Sequence, residues 1–275
     1  MPARQPIRLM LPLVVPLWVC LGIATAVSPA AENQPPEGFV ALFDGVSFAG
    51  WKYPPSFAGH WVVRDGVIAC DGKVEAKRGQ DRNLWTEKEY GDFVLLADWR
   101  LPARPERKPM NVFSPDGLIV RDEKGQAKKH DMPFAGDSGI YLRGNGRSQV
   151  NIWSQPMGSG DINDYHKDLK LPPEIRRACV PSKNADKPFG QWNRFVITMI
   201  KDRVTLVLNG ETVIDKAQLP DVPPRGALAL QNHGDPVEFR NLFLKDLSQH
   251  HSGGIPRSGD SDAANGSEIG SKKLR

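Results

Sequence analysis

Apolar and polar residues alternate with period 2 from residue 39 to residue 247, and Asp-Gly, Asn-Gly and proline-rich turns break the alternation about every ten residues. Residues two apart share a face of a strand, so the pattern predicts short strands with one apolar and one polar face. The clearest hairpin is residues 203–214, where Asn209-Gly210 suits a two-residue type I′ turn that needs positive φ at both central positions. Another strand is predicted over residues 193–201. No amphipathic helix of three turns stands out. Such a run, about 210 residues long, predicts one all-β domain over residues 32–247, a two-sheet antiparallel β-sandwich of the jelly-roll kind, large enough to bury a core.

Three regions fall outside the strand rhythm. Residues 102–136, rich in Pro, Arg and Lys, and residues 154–189, with Gly158-Ser159-Gly160 and Leu171-Pro172-Pro173, read as long insertions. Insertions of that length in a compact domain are functional or disordered, and these flank the candidate site, so they are expected to form its rim or lid. Within the first, residues 118–126 are expected to make a small hairpin. Residues 248–275 are built of Ser, Gly, Asp, Asn and Lys and are expected to be disordered, with His250-His251 part of a solvated tail.

Residues 1–31 read as a cleaved secretory signal. Arg4 and Arg8 precede an apolar run, and Ser28-Pro29-Ala30 supplies small residues at the cleavage point. Pro12 and Pro16 argue against an uncleaved anchor, and bulky Trp18 and Val19 before Cys20 argue against a lipoprotein. The mature chain is therefore expected to be secreted or periplasmic, with no membrane span. Without Arg4 and Arg8 the formal charge falls from +4 to +2, and the cations are scattered, so no nucleic-acid partner is expected. Cys70 and Cys179 sit in apolar strand-like contexts and are expected to be separate buried thiols, one disulfide being the alternative. No zinc spacing is present. Residues 161–166 space oxygen ligands as calcium sites do, but lack an EF-hand's glycine turn and closing glutamate, so no metal is assigned.

Alternation also assigns candidate chemistry. Tyr141 and Arg143 share a face opposite Ile140 and Leu142; Gln149, Asn151 and Trp153 oppose Val150 and Ile152; Gln231 and His233 oppose Leu228 and Leu230; Asp98 opposes Phe93, Leu95 and Trp99. If these four strands lie in one concave sheet, their polar side chains converge. Amides and a guanidinium to read hydroxyls, with an aromatic plate, describe a carbohydrate site. An ordinary solvated outer face is the alternative. Within the set, His233 has the titration range of a general base, with Asp98 as its partner or as an alternate base. The bland readings are a turn histidine and an ion-paired aspartate. Asp235 and Glu87 are read as a turn former and a polar strand end.

The run Leu230-Gln231-Asn232-His233-Gly234-Asp235-Pro236-Val237-Glu238-Phe239-Arg240-Asn241-Leu242-Phe243-Leu244-Lys245-Asp246-Leu247 resembles the C-terminal signature of the 3-keto-disaccharide hydrolase domain family. Gly38-Phe39-Val40-Ala41-Leu42-Phe43-Asp44-Gly45, Gly50-Trp51, Trp61-Val62-Val63-Arg64-Asp65-Gly66, Leu84-Trp85-Thr86-Glu87-Lys88-Glu89-Tyr90-Gly91-Asp92-Phe93 and Asp137-Ser138-Gly139-Ile140-Tyr141-Leu142-Arg143 resemble its other blocks, in family order. The resemblance implies a concanavalin-A-like sandwich and an enzyme that cleaves 3-keto-glucosides or 3-keto-disaccharides by elimination and hydration. On that reading His233 and Asp98 are catalytic. Arg143 and Gln149 donate to the oxyanion or to hydroxyls, Trp153 is a platform, and Tyr141, Asn151 and Gln231 complete the substrate site. No spacing in the chain demands a metal, so the cofactor stays unassigned, with a divalent cation as one option. Two departures from the family pattern stand out: Gln149 where members often carry Glu, and Asn232 where Asp is common. They keep two alternatives open, a lectin-like carbohydrate-binding module and a cell-envelope interaction protein.

Overall fold

The computed structural model describes residues 33–73, 81–102 and 104–248. The expected signal and the tail beyond Ser248 lie outside the described residues. The strands are β1 (Val40–Ala41), β2 (Trp51–Lys52), β3 (Trp61–Arg64), β4 (Val67–Cys70), β5 (Leu84–Tyr90), β6 (Phe93–Arg100), β7 (Glu106–Asn111), β8 (Lys129–Phe134), β9 (Asp137–Leu142), β10 (Asn145–Trp153), β11 (Asn193–Ile200), β12 (Arg203–Leu208), β13 (Glu211–Gln218), β14 (Gly226–Leu230) and β15 (Val237–Asp246), with short helices α1 (Asn163–His166) and α2 (Pro173–Ala178). Eight strands form one sheet, ordered β13-β12-β11-β6-β15-β4-β3 with β1 also on β15; five form the other, ordered β10-β9-β14-β5-β2. Their pairings are antiparallel.

Period 2 explains the packing. Phe93, Leu95, Ala97 and Trp99 of β6, and Phe195, Ile197 and Met199 of β11, are buried from one sheet; Ile140 and Leu142, Val150 and Ile152, and Leu228 and Leu230 are buried from the other. Together they form one core between the sheets. The 203–214 hairpin forms as expected, with Asn209 at φ +53 and Gly210 at φ +90. Cys70 and Cys179 are separate buried thiols, and burial pushes them up to about 11 and about 12 respectively.

The insertions are more ordered than their composition suggests. Residues 102–136 carry the two-stranded ribbon β7–β8, and the expected small hairpin appears as a tight Asp122–Gln126 turn with a bridge between Arg121 and Ala127. Residues 154–189 carry both helices. Their start runs back along β10: Gly160 N–H donates to the Asn151 carbonyl at 2.8 Å, and Asn151 N–H to the Asp161 carbonyl at 3.1 Å, covering that edge of the sheet.

Two candidate site residues lie elsewhere. Asp98 is on β6, in the eight-stranded sheet, while Tyr141, Gln149, Asn151 and Trp153 stand on the five-stranded one. Alternation fixes a residue's face but not its sheet, and the outer faces of a sandwich point away from each other. Asp98 accepts Arg194 Nε at 2.5 Å and Nη2 at 2.9 Å, and Asn241 Nδ2 at 2.7 Å, so its carboxylate is engaged in holding β6, β11 and β15 together. Arg143 follows the end of β9 with φ +52, where strand alternation no longer applies. Its fully buried guanidinium donates to the carbonyls of Gly91 (2.8 Å), Pro223 (3.3 Å) and Lys201, and to Asp92 Oδ1 at 2.9 Å.

Both residues are thus structural clamps. Arg143→Ala, which removes a fully buried guanidinium from the half-buried Asp92 carboxylate and three carbonyls, is expected to cost about 3–5 kcal/mol, and Asp98→Ala about 1–3 kcal/mol. Urea unfolding measures both losses. Carbohydrate binding by the folded fraction is expected to stay unchanged.

Candidate functional site

The register of β9 on β10 pairs Asp137 with Trp153, Gly139 with Asn151, and Tyr141 with Gln149. Because every second residue faces outward, these three pairs form one patch on the outer face of the five-stranded sheet. The chain beyond β14 continues alongside: Gln231 N–H donates to the Gly139 carbonyl at 2.9 Å, and Ser138 Oγ donates to the Gln231 carbonyl at 2.8 Å. This brings Gln231 and His233 to the same patch. Asp137, Gln149, Asn151, Trp153, Gln231 and His233 line a cavity of about 190 Å3 with Asn163 and Lys167, which α1 and its following turn supply.

A chain of neutral groups crosses the floor. Gln149 Nε2 donates to Gln231 Oε1 at 2.6 Å, and Gln231 Nε2 donates to Tyr141 Oη at 2.9 Å. Gly139 makes this possible, because a Cβ there would stand 2.2 Å from Gln149 Nε2. The aromatic row continues through small Ala229, which pairs with both Tyr141 and Trp85. Over it the Tyr141 and Trp85 rings stack at 5.7 Å with 16° between their planes.

The charged groups gather at the other end. Asp137 Oδ2 lies 3.6 Å from His233 Nδ1; the His233 side chain is half-exposed, that of Asp137 about one-fifth. Burial pushes the Asp137 carboxyl up to about 6; nearby His233 opposes the rise, and Asp161 and Asp235 add to it. Beneath the floor Asp161 is fully buried, and its Oδ2 accepts Asn151 Nδ2 at 3.1 Å and meets His166 Nε2 at 2.9 Å. Lys167 Nζ lies 5.9 Å from the centre of the Trp153 ring and 5.6 Å from that of Phe113. Both insertions therefore reach the rim.

Of the candidates from alternation, Gln149, Asn151, Trp153, Gln231 and His233 line the cavity, Tyr141 closes its hydrogen-bond chain, and Asp98 and Arg143 are absent from it. Sequence reasoning missed Asp137, Asn163, Lys167 and Trp85. Asp137 had a signal, since it shares the face of Gly139 and Tyr141; Asn163 and Lys167 lie outside any alternating strand, and only the expectation that residues 154–189 form the rim pointed to them. Among the described residues no three His, Cys, Asp or Glu side chains gather to hold a metal ion.

Known proteins bear on this arrangement. The chain is 25% identical over 251 residues, 77% of its own length and 79% of the relative's, to the 3-keto-disaccharide hydrolase of Bacteroides thetaiotaomicron. Its fold matches that of a Parabacteroides distasonis protein provisionally named a glycosyl hydrolase, with a TM-score of 0.51 and 20% identity over 79% of this chain and all of that one. Residues 38–245 match the profile of the 3-keto-alpha-glucoside-1,2-lyase-like domain. That span holds both sheets and every residue of the cavity, and the chain belongs to this family.

Proposed function

We propose that the protein cleaves 3-keto-glucosides by elimination and hydration, with Asp137 as the base. A ketone at C3 acidifies the hydrogen on C2. Asp137 takes that proton, the electron pair forms the C1–C2 double bond, and the C1–O bond breaks with its pair passing to the aglycone oxygen. Water then adds at C1 while C2 regains a proton. This route requires one base, donors to the enolate oxygen and a proton for the leaving group. His233, 3.6 Å from Asp137, supplies the last in this reading. Lys167 and the Gln149 and Gln231 amides are the donors, and Trp153 is the ring platform. The observation that carries the reading is a single carboxyl raised to about 6 inside a cavity otherwise lined by amides, an imidazole, an ammonium and an indole. We also infer export, from the leader-like residues 1–31.

A binding-only reading has one observation in its favour: Gln149 and Gln231 hold each other and Tyr141 in a neutral network that reads hydroxyls without any base. Turnover of a 3-keto-glucoside by the purified chain separates the two. Activity lost in Asp137→Asn and reduced in His233→Ala supports the enzyme, and retained sugar binding with no turnover supports the module.

The pH dependence follows from Asp137. The base is the ionised form, so kcat/KM is expected to rise about tenfold per pH unit below 6 and to level off above it. Asp137→Asn is expected to remove that limb and lower kcat by about 100-fold or more. Stability moves the opposite way. With its folded value raised from 3.8 to about 6, the carboxyl stabilises the fold in its protonated form, fully below pH 3.8, and this is lost as pH rises through about 6. Thermal unfolding at pH 8 is therefore expected to find Asp137→Asn more stable than the parent by about 1–3 kcal/mol.

Gly139 provides a separate check on the floor. Gly139→Ala is expected to push the Gln149 amide off Gln231 and weaken sugar binding by about tenfold. Calorimetric titration with a 3-keto-glucoside measures it, and far-UV circular dichroism is expected to stay unchanged.

A further inference from the structure

The two glutamines of the cavity floor have no fixed polarity. Gln149 Nε2 lies 2.6 Å from Gln231 Oε1, Gln149 Oε1 lies 3.3 Å from Gln231 Nε2, and the chain ends on the Tyr141 hydroxyl, which donates as readily as it accepts. Both amides can turn together and stay bonded. Asn151, beside them on β10, is held differently. Its Nδ2 lies 3.1 Å from Asp161 Oδ2, which His166 Nε2 meets at 2.9 Å, and the side chains of Asp161 and His166 are fully buried.

The proton of that buried pair can be placed. His166 Nδ1 is sealed without a partner, and Gly117 of the first insertion closes over it, since a Cβ there would stand 2.6 Å from Nδ1. A proton on Nδ1 would be a buried donor with nothing to receive it, so the proton is on Nε2 and goes to Asp161. Asp161 receives it as a carboxylate, which has acceptors only, and the part of Asn151 that faces it is therefore the NH2 group. The amide is locked in one sense. Its Oδ1 makes no hydrogen bond among the described residues and is not sealed from solvent, so it opens on the cavity that Asn151 lines.

We propose that Asp161 and His166 are positioning residues for the candidate site, fixing the Asn151 carbonyl oxygen as an acceptor that selects a sugar hydroxyl and turns away the ketone. This inference rests on the function proposed above for its substrate. A ketone oxygen against Oδ1 would set two acceptors face to face, whereas a hydroxyl donates to it. The ring then binds with its ketone toward the proposed donors Lys167, Gln149 and Gln231, and with one hydroxyl on Asn151.

The test compares methyl 3-keto-glucoside with its 2-, 4- and 6-deoxy derivatives on the parent chain and on Asp161→Asn, Asn151→Ala and His166→Gln. On the parent, one derivative is expected to show a kcat/KM about tenfold or more below that of the intact sugar, because it leaves Oδ1 without a donor. Asp161→Asn offers Asn151 both a donor and an acceptor, so the amide turns and the ratio is expected to fall below about threefold. Asn151→Ala leaves the Asp161–His166 pair whole and is expected to lose the ratio as well, with no further change when Asp161→Asn is added. His166→Gln keeps a donor to Asp161 and is expected to keep the ratio. Asp161→Asn also changes the charge around Asp137, but that acts on all four sugars alike and cancels in the ratio.

A ratio that survives Asp161→Asn or Asn151→Ala, as a merely structural role would leave it, or that His166→Gln abolishes, would overturn the proposal. So would four sugars turned over equally by the parent, although the proposed function would then stand. Should Asp161→Asn not fold, side-chain amide NMR of the parent decides the positioning: one Nδ2 proton of Asn151 slowed in exchange supports it, and two fast ones reject it. If no 3-keto-glucoside turns over, the proposed function falls, and the same ratios are read as dissociation constants by calorimetric titration. Binding of none of the four sugars rejects both.

Discussion

The register between β9 and β10 is the constraint on which the site depends. Because side chains alternate, a slip of one residue would send Gln149, Asn151 and Trp153 into the core and Val150 and Ile152 into solvent. Burial of Ile140, Leu142, Val150 and Ile152 opposes that slip from below. From the turn, an irregularity between Asn145 and Gln149 sets the pairing, and Ser148 Oγ fixes it by donating to the Leu142 carbonyl at 2.6 Å. The same register places Gln149 next to the one position, Gly139, with no side chain to obstruct its amide. Core packing and ligand recognition are therefore two consequences of one alignment.

The electrostatics of the cavity depend on a group that does not line it. Asp161 is fully buried, held by Asn151 and His166, and contributes to the rise of the Asp137 carboxyl. The backbone pairing of residues 160 and 161 with Asn151 puts it there, so the insertion that covers the edge of β10 also shifts the titration of the Asp137 carboxyl, the proposed base. His166 supplies the partner that a buried carboxylate needs. The arrangement keeps Asp137 in a partly desolvated position that the fold would otherwise disfavour, which is how functional groups with displaced titration are usually held.

Strand periodicity made the sandwich, the 203–214 hairpin and most of the polar face of the candidate site legible, because burial on one side of a strand forces alternation into the sequence. It failed in identifiable ways. Asp98 shows the right alternation on a strand of the wrong sheet, since period 2 carries no information about which strands become neighbours. Arg143 shows the right spacing one residue after the strand has ended, where a left-handed backbone takes over. Lys167 and Asn163 come from a segment of loops and short helices whose position is set by tertiary contacts alone. Asp137 was readable from its place two residues before Gly139, but its importance comes from its burial and from neighbours 24 and 96 residues away in sequence, Asp161 and His233.

The composition of the cavity bears on the kind of bond cleavage it suits. Glycosidases that pass through an oxocarbenium ion place two carboxyl groups across the scissile bond. Among the described residues lining this cavity, Asp137 is the one carboxylate, and Gln149 stands as an amide on the facing strand. A proton abstraction next to a ketone has a different requirement: one base near neutrality, and fixed donors where negative charge collects on oxygen. In the proposed route Lys167, Gln149 and Gln231 are the donors and Asp137 is the base. An amide at Gln149 fits the proposed route, because a second negative charge there would raise the Asp137 carboxyl further and repel the enolate that route requires.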